Sequence, residues 1–389
     1  MRRIKIGLLG RILIAIVLGV LLGRFLPSWL IRVFITFNGL FSEFLNFIVP
    51  LIIVGFVTPA IADIGAKAGR MLLITTVIAY VTTLISGFIS YFTGAALFPS
   101  LISGNVSIDQ ISDSINLTPY FTISIPAMLN VMTALVLSFM LGLGIANLGL
   151  PTLKNVFADF KEIVLKTIYK VILPLLPIYI FGIFLNMTHS GQVMKVLSVF
   201  FVIIGIIFAL HIFVLVFQYV VAGAIVGKNP FKALWNMMSA YFTALGTQSS
   251  AATIPVTLKQ TISNGVNEGV AGFVIPLCAT IHLSGSTLKI VACALALMIM
   301  QGMPYDFPMF AGFIMMLGVT MVAAPGVPGG AIMAALGVLQ SMLGFGDSEQ
   351  ALMIALYIAM DSFGTACNVT GDGAIALIID KFNGKGNKK

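Results

Sequence analysis

The sequence predicts an all-α membrane protein that crosses the bilayer many times. Of its 389 residues, 59% are hydrophobic and 9% carry a charge, whereas about a quarter of the residues in a soluble domain are charged. The mean hydropathy of +1.09 comes from windows long enough to cross a hydrocarbon core of about 30 Å. In the last third of the chain, polar and Pro/Gly-rich runs interrupt such windows. A polytopic helical protein with broken spans is therefore expected.

The net charge of +8 indicates a membrane topology and no nucleic-acid partner. The basic residues lie in short connections and at the two ends, and connections rich in lysine and arginine alternate with poorer ones. Because basic connections stay on the inner side, we expect a multi-pass protein of the cell membrane with both termini cytoplasmic. The three cysteines lie in apolar surroundings without a CxxC spacing, which predicts neither a disulfide framework nor a metal site.

The first two thirds of the chain predict six ordinary spans. High hydropathy places them near residues 8–28, 38–62, 71–98, 119–148, 163–187 and 192–226. Two cytoplasmic termini require an even number of crossings. The last third is therefore expected to supply two more spans, which makes eight transmembrane helices.

Two further apolar segments contain breaks that a continuous helix does not tolerate. Residues 233–258 carry no charge but include a hydroxyl-rich run from Thr247 to Pro255, and residues 307–346 include two prolines and three glycines between Ala324 and Gly330. We expect each segment to form a re-entrant helical hairpin with the break at its tip, since paired interruptions point to a transporter site. The alternatives are a kinked span and a surface loop.

The other two elements of the last third are a broken helix and a polar helix. Residues 269–300 are interrupted at 280–286, and the final span, 350–380, carries Asp361, Thr365, Asn368 and Asp372 at spacings of i, i+4, i+7 and i+11. These four side chains form one stripe about 16 Å long, which is typical of a substrate or ion pathway. Hairpin, broken helix, hairpin and polar helix together predict an inverted repeat.

These residues resemble the dicarboxylate/amino acid:cation symporters, the glutamate-transporter family. Residues 249–257 look like the family's serine-rich tip, residues 326–333 look like its Gly-Val-Pro-Gly tip, and Asn368-Val369-Thr370-Gly371-Asp372 matches its final-helix motif residue for residue. The resemblance implies a homotrimer in the lipid membrane and an elevator-type transporter, with no enzymatic activity.

The resemblance also divides the chain into functional parts. Residues 1–228 would form mainly the scaffold and the trimer contacts (spans 1, 2, 4 and 5), with spans 3 and 6 packing on the transport domain. Residues 229–380 would form the transport core, and residues 381–389 a basic cytoplasmic tail.

The substrate site is expected between the two tips and the final helix. On the resemblance, Asp361 would hold the ammonium of an amino acid, Asn368 would hold its carboxylate and Thr365 would line the pocket. The other substrate-binding residues implied are Ser249 and Ser250 of the first tip, and Val327, Pro328 and Gly329 of the second. A zwitterion in a dry site needs an anion at one end and neutral donors or half-helix N-termini at the other. The alternative is a purely structural Asp361.

Gly364 directs the expected substrate toward neutral amino acids. Acidic-amino-acid members carry an arginine at the position of Gly364, and residues 243–380 contain no arginine. A second substrate carboxylate would then be buried without a bidentate partner, and the missing side chain should leave room for a larger substrate. An acidic amino acid or dicarboxylate remains the alternative. Lys289, a cation inside an otherwise apolar span, is expected to snorkel, to pair with a carboxylate or to act as a counter-ion.

The coupling ion is left open between Na⁺ and H⁺. The family's Asn-Met-Asp-Gly-Thr string is replaced by His282-Leu283-Ser284-Gly285-Ser286, which removes a carboxylate ligand. Sodium sites at Asn368 and Asp372 could survive in reduced form. The ion-coupling residues expected from the resemblance are Tyr80, Thr83, Thr280, His282, Ser284, Asn368 and Asp372. In the other hypothesis, His282 faces Asp372, exchanges a proton near neutral pH and couples transport to H⁺. The alternative role for His282 is that of a neutral histidine that donates a hydrogen bond to a carbonyl.

Two other function classes remain as alternatives. Polar hairpins also build the selectivity filters of channels, which would conduct without saturating with substrate. A membrane enzyme would use Ser249 or Ser250 with His282 as nucleophile and base, but the sequence has no GxSxG elbow. No cofactor besides the coupling ion is expected.

Overall fold

The computed structural model describes residues 7–66, 70–102, 117–191, 193–324, 326 and 328–384, and every regular element in them is helical. The α-helices are α1 (Leu8–Leu22), α2 (Ser28–Ala66), α3 (Arg70–Leu101), α4 (Val131–Leu148), α5 (Pro151–Thr167), α6 (Leu173–His189), α7 (Val193–Val226), α8 (Pro230–Asn236), α9 (Met238–Thr247), α10 (Ser250–Ser263), α11 (Glu268–Ile281), α12 (Ser284–Gln301), α13 (Phe307–Val322), α14 (Gly330–Leu343), α15 (Asp347–Ala359) and α16 (Asp361–Gly384). A π-helical turn, Ile168–Ile172, joins α5 to α6.

Within the described ranges, seven helical segments are long and apolar enough to cross a membrane. They are Ser28–Asp63, Met71–Leu101, Val131–Leu148, Pro151–His189, Val196–Val226, Glu268–Gln301 and Asp361–Asn383. The predicted all-α integral membrane protein is confirmed. Helix α1 is apolar but has 15 residues, so the predicted total of eight crossings stays a prediction.

Several predicted span boundaries in the first half are corrected by local capping. Helix α4 begins at Val131 and not near residue 119, because the Asn130 side chain accepts a 2.7 Å hydrogen bond from the N–H of Thr133 and caps the helix. Gly149, at φ 63°, ends α4, and Pro151 starts α5. The predicted span 163–187 is therefore part of a longer helical segment that begins at Pro151.

The breaks predicted in both apolar segments of the last third are present. Helices α9 and α10 pack on each other and are separated only by Gln248, at φ 54°, and Ser249. Helices α13 and α14 also pack together, and Gly329, at φ 73°, precedes α14. The first break is shorter than expected, since Pro255 lies inside α10 and removes an N–H donor without ending the helix.

Each of the two remaining spans of the last third is also broken. The predicted interruption in 269–300 narrows to His282 and Leu283, between α11 and α12. The final span was expected to be continuous over 350–380, but it breaks at Met360, so that Asp361 begins α16. The polar stripe therefore starts at a helix N-terminus, where the helix dipole favours a carboxylate.

Two earlier helices, α3 and α7, pack against the helices of the last third of the chain. Helix α16 packs against α7, α9, α10, α11 and α12, while α3 packs on α12 and α13. In the most apolar stretches of Glu268–Gln301 and Asp361–Asn383, 94% of the residues are buried, compared with 33% in Met71–Leu101 and Val131–Leu148. Outside this core, α2 packs on α4, α5 and α6, and α1 packs on α6.

The contact between α1 and α6 depends on two glycines one helical turn apart. A Cβ atom on Gly19 would lie 2.9 Å from Phe184 Cβ, and one on Gly23 would lie 2.5 Å from Thr188 Cβ. Small residues at this spacing let two helix backbones approach closely in a membrane.

We expect Gly19→Leu to lower the free energy of unfolding by about 1–3 kcal/mol, because the added side chain forces α1 away from α6. The measurement is thermal unfolding of the purified protein in detergent, followed by tryptophan fluorescence. Gly205→Leu on α7 is the matched control, since no heavy atom lies within 4 Å of a Cβ built there. Equal shifts for the two variants would contradict the close α1–α6 packing.

Candidate functional site

A small polar cavity lies where the two tips and the two broken helices meet. Its volume is about 10 Å³, enough for about one water molecule. Its lining residues come from five helices and three breaks and are Gln248, Ser250, Leu283, Ser286, Gly326, Ala331, Tyr357, Asp361, Thr365 and Asn368. The structure thus brings together four of the predicted substrate-binding residues, Ser250, Asp361, Thr365 and Asn368, in a pocket too small to hold an amino acid.

Asp361 is held at both carboxylate oxygens by the protein. The Lys289 ammonium lies 3.1 Å from Oδ1, and the backbone N–H of Gly329 donates to Oδ2 at 2.8 Å. Lys289 is completely buried, and its Nζ atom also lies 3.4 Å from the carbonyl oxygens of Tyr357 and Met360 and 3.4 Å from the centre of the Tyr357 ring. The ion pair, two carbonyls and an aromatic face together replace the water that both charges have lost.

Gly364 leaves space for Lys289 and not for a substrate. A Cβ atom at position 364 would lie 2.7 Å from Lys289 Nζ and 2.9 Å from its Cε. The expectation that Gly364 frees volume for a larger substrate side chain is therefore wrong, because a lysine from another helix fills that volume. Lys289, left open between three roles, pairs with a carboxylate.

Asn368 connects α16 to the break before α12. Its Oδ1 accepts hydrogen bonds from the N–H groups of Gly285 and Ser286, at 2.8 and 3.4 Å, and its Nδ2 donates to Ser286 Oγ at 3.1 Å. The Tyr357 hydroxyl donates to the same Ser286 oxygen at 3.0 Å. The amide thus satisfies orphan donors at a buried helix N-terminus.

The two tips contact each other across the pocket entrance. Ser249 Oγ donates to the carbonyl of Gly326 at 3.1 Å, and Gln248 Nε2 donates to Ser362 Oγ at 2.9 Å. Ser249 also caps α10, whose first residue, Ser250, is buried in the pocket wall. In the second tip, Gly329 reaches Asp361, Pro328 is half-buried, and Val327 lies outside the described residues.

His282 and Asp372 form a second buried pair, as the proton hypothesis requires. His282 Nδ1 lies 2.8 Å from Asp372 Oδ1, and both side chains are completely buried. Neither the other ring nitrogen, Nε2, nor the other carboxylate oxygen, Oδ2, has a hydrogen-bond partner in the described part of the chain. Gly371 makes room for this pair, since a Cβ atom there would lie 2.8 Å from His282 Cε1.

The other predicted ion-coupling residues do not converge on Asp372. Thr280 is exposed and donates to the carbonyl of Leu277, and Tyr80 donates to the carbonyl of Met315 and borders an apolar cavity of about 250 Å³. Thr83 is buried without a described partner, and Ser284 accepts a 3.3 Å hydrogen bond from Gln218. The described residues contain no group of three or more His, Cys, Asp or Glu side chains fit to hold a metal ion.

Three residues near the site were not predicted. His211 and Gln218 on α7 reach Gly285 and Ser284, and Tyr357 on α15 lies against Lys289. His211 and Gln218 are seven residues apart, so they share one face of an otherwise apolar helix. That spacing could have identified His211 and Gln218 from the sequence, whereas no sequence pattern pointed to Tyr357.

Paired helix breaks around a closed polar pocket, inside an apolar helical protein, are typical of a secondary transporter. The chain belongs to the sodium:dicarboxylate symporter family, whose model matches residues 8–382. This match confirms the predicted family and the predicted symporter in a membrane. The match also agrees with transport, and not enzymatic catalysis, as the class of function.

Three proteins that are similar to this chain are named as amino acid transporters. The serine/threonine transporter SstT of Acinetobacter baylyi is 25% identical over 97% of this chain and 98% of its own length. Neutral amino acid transporter B(0) of Rattus norvegicus is 28% identical over 40% of this chain and 28% of its own length. Excitatory amino acid transporter 2 of Homo sapiens is 32% identical over 46% of this chain and 30% of its own length.

We expect Asn368→Leu to destabilise the protein by about 1–3 kcal/mol for each of the two backbone donors that lose their acceptor. The measurement is the free energy of unfolding in detergent. Asn383→Leu is the control, since Asn383 is exposed on the same helix and should stay within about 0.5 kcal/mol. A loss for Asn368→Leu no larger than for the control would contradict the capping role of the amide.

Proposed function

We propose that the protein is a symporter that carries a small neutral amino acid across the cell membrane. The observation that carries this proposal is the composition of the pocket, whose lining includes the Asp361 carboxylate, the amide of Asn368 and Ser250, the first residue of α10. Such a pocket offers an anion to an ammonium group and neutral donors to a carboxylate. Ser249, Ser250 and Thr365 complete the substrate-binding set.

Charge balance supports a neutral substrate. Lys289 and Asp361 together contribute no net charge, and among the described residues that line or contact the pocket Lys289 is the only cation. A zwitterionic amino acid keeps that balance, whereas a second carboxylate would need Lys289 to leave Asp361. The full-length relative named a serine/threonine transporter favours serine and threonine in particular. A dicarboxylate or acidic amino acid is the second candidate, because the Lys289 ammonium offers a partner to a second substrate carboxylate.

The proposed mechanism is an elevator in which residues 229–380 move as the transport core. The burial of α11, α12 and α16, and the packing of α3 and α7 on them, support this division. Helices α9–α10 and α13–α14 are the two re-entrant hairpins, and the first half forms the scaffold of a homotrimer. With α1 as the first of eight crossings, both termini are cytoplasmic; Lys381 begins the basic tail, whose residues 385–389 lie outside the described part.

The proposed coupling ions are Na⁺ and H⁺. The family name supports Na⁺, and the unpartnered buried oxygens Oδ2 of Asp372 and Oε1 of Gln218 are ligands that Na⁺ prefers. Asn368 is a weaker candidate ligand, because its oxygen already accepts two backbone N–H groups. The buried His282–Asp372 pair supports a proton as a second coupling ion, since Nε2 of His282 and Oδ2 of Asp372 have no hydrogen-bond partner in the described part of the chain and each can hold a proton.

We expect L-serine to raise the apparent stability of the purified protein, by about 2.7 kcal/mol at one hundred times its Kd. The measurement is a thermal-shift screen of the amino acids with and without Na⁺. Glycerate, which replaces the amine of serine by a hydroxyl group, is the matched control and should give no shift, because Asp361 has no ammonium to bind.

Other outcomes of this screen separate the alternatives. A shift with succinate or glutamate and none with serine would overturn the neutral substrate and favour the dicarboxylate candidate. Uptake into proteoliposomes that rises without saturation, with no exchange of internal for external serine, would instead support a channel.

We expect a proton gradient, imposed without a Na⁺ gradient, to drive serine uptake into proteoliposomes, and His282→Gln to abolish this response. Glutamine can still donate a hydrogen bond to Asp372 but cannot take up a second proton. His211→Gln is the matched control, because His211 is also buried and, in the described part of the chain, its ring bonds to the carbonyl of Gly285 and to no carboxylate. Uptake driven by Na⁺ alone and insensitive to the pH gradient would overturn the proton part of the proposal.

A further inference from the structure

We propose that Lys289 is an internal counter-ion that stands in for the ammonium group of the substrate when the pocket is empty, so that the transport core can return without cargo. The inference rests on the proposed function, in which Asp361 binds the substrate ammonium. It assigns to this lysine a role that no other residue of the pocket has the charge to fill.

Groups of the protein itself satisfy both oxygens of Asp361. Oδ1 of Asp361 faces the lysine at 3.1 Å, and Oδ2 accepts the Gly329 N–H at 2.8 Å, so that neither oxygen needs a substrate or a coupling ion. The lysine comes from α12, the same core that carries Asp361, and both charges would therefore move together. Their net charge is zero at every stage of that movement.

The same conformation is also sterically closed. Ser249 of the first tip contacts Gly326 of the second, and the space between Asp361 and Asn368 holds about one water molecule. A closed, dry pocket with an unpaired carboxylate would be strongly disfavoured inside a membrane. In this closed conformation Lys289 supplies the positive charge that neutralises Asp361.

Substrate entry then exchanges one set of contacts for another. The tips must separate to admit an amino acid, which takes the Gly329 N–H away from Oδ2 and leaves that oxygen to the substrate ammonium. Lys289 is required in the empty carrier, whereas in the loaded carrier the substrate itself neutralises Asp361. The variant without the lysine should therefore lose the return of the empty carrier and keep the exchange of one loaded form for another.

The test compares net transport with exchange in proteoliposomes, with radiolabelled L-serine as the probe. Lys289→Met keeps an unbranched side chain only one heavy atom shorter and removes its charge, and Lys259→Met, at an exposed lysine of α10, is the matched control. We expect net efflux into serine-free medium to fall at least about tenfold in Lys289→Met. We expect exchange to change by less than about threefold and thermal stabilisation by serine to be at least as large as in the wild type.

Two results would overturn the proposal. Equal loss of exchange, net efflux and serine binding would make Lys289 a direct ligand of the substrate or a purely structural residue. Unchanged net efflux would show that the empty carrier needs no counter-ion. If Lys289→Met does not fold, Gly364→Ala replaces it, since the added Cβ atom would lie 2.7 Å from Nζ and displace the ammonium without removing it. The same split between efflux and exchange is expected for that variant.

A readout without substrate separates this proposal from the proposed function. Ser250 is buried in the pocket wall, and in substrate-free protein Ser250→Cys should react at least about fivefold faster with a water-soluble maleimide when Lys289 is methionine, because the uncompensated Asp361 keeps the pocket open to water. The native cysteines Cys278, Cys293 and Cys367 are buried and set the background. Equal reaction rates of Ser250→Cys with lysine and with methionine at position 289 would overturn the counter-ion role of Lys289. A wild-type protein that neither binds nor exchanges serine would overturn the proposed substrate alone.

Discussion

The ion pair between Lys289 and Asp361 is the interaction on which the architecture of the site depends. A lysine and an aspartate that have both lost their hydration can remain charged in an apolar core only when they pair with each other. Four parts of the chain meet to satisfy them: α12 supplies the lysine, α16 the aspartate, α15 with the following Met360 two carbonyls and an aromatic ring, and the second tip a backbone N–H. The arrangement ties the second tip and both broken helices to one point.

The breaks that the sequence predicted are those with a local chemical cause. Prolines and glycines between residues 324 and 330, and the hydroxyl-rich run after Thr247, disfavour a continuous helix wherever they lie, so their position along the chain was sufficient. The break at Met360 has no such signal. It accompanies the turn of the Tyr357 and Met360 carbonyls toward Lys289, a residue far away in sequence, and only the packed structure brings these groups together.

The residues of the candidate site could likewise be predicted only where the sequence carries a local signal, such as a motif or a helical spacing. The facing pair of His282 and Asp372 followed from the resemblance of two motifs, and Asp361, Thr365 and Asn368 followed from helical spacing on one face. Gly364 was misinterpreted, because an absent side chain does not reveal what fills its place. Tyr80 and Thr83 matched the family only loosely; Tyr80 donates to the carbonyl of Met315, and Thr83 has no hydrogen-bond partner in the described part of the chain.

The break at Met360 also gives the buried ion pair a direction. The carbonyl end of α15, which carries partial negative charge, faces the lysine, and the amino end of α16, which carries partial positive charge, bears the aspartate. Each charge therefore lies against the helix end of opposite sign. A protein with the two residues interchanged would contain the same ion pair, yet would place both charges against helix ends of their own sign. The backbone as well as the side chains therefore determines which end of the pair is positive.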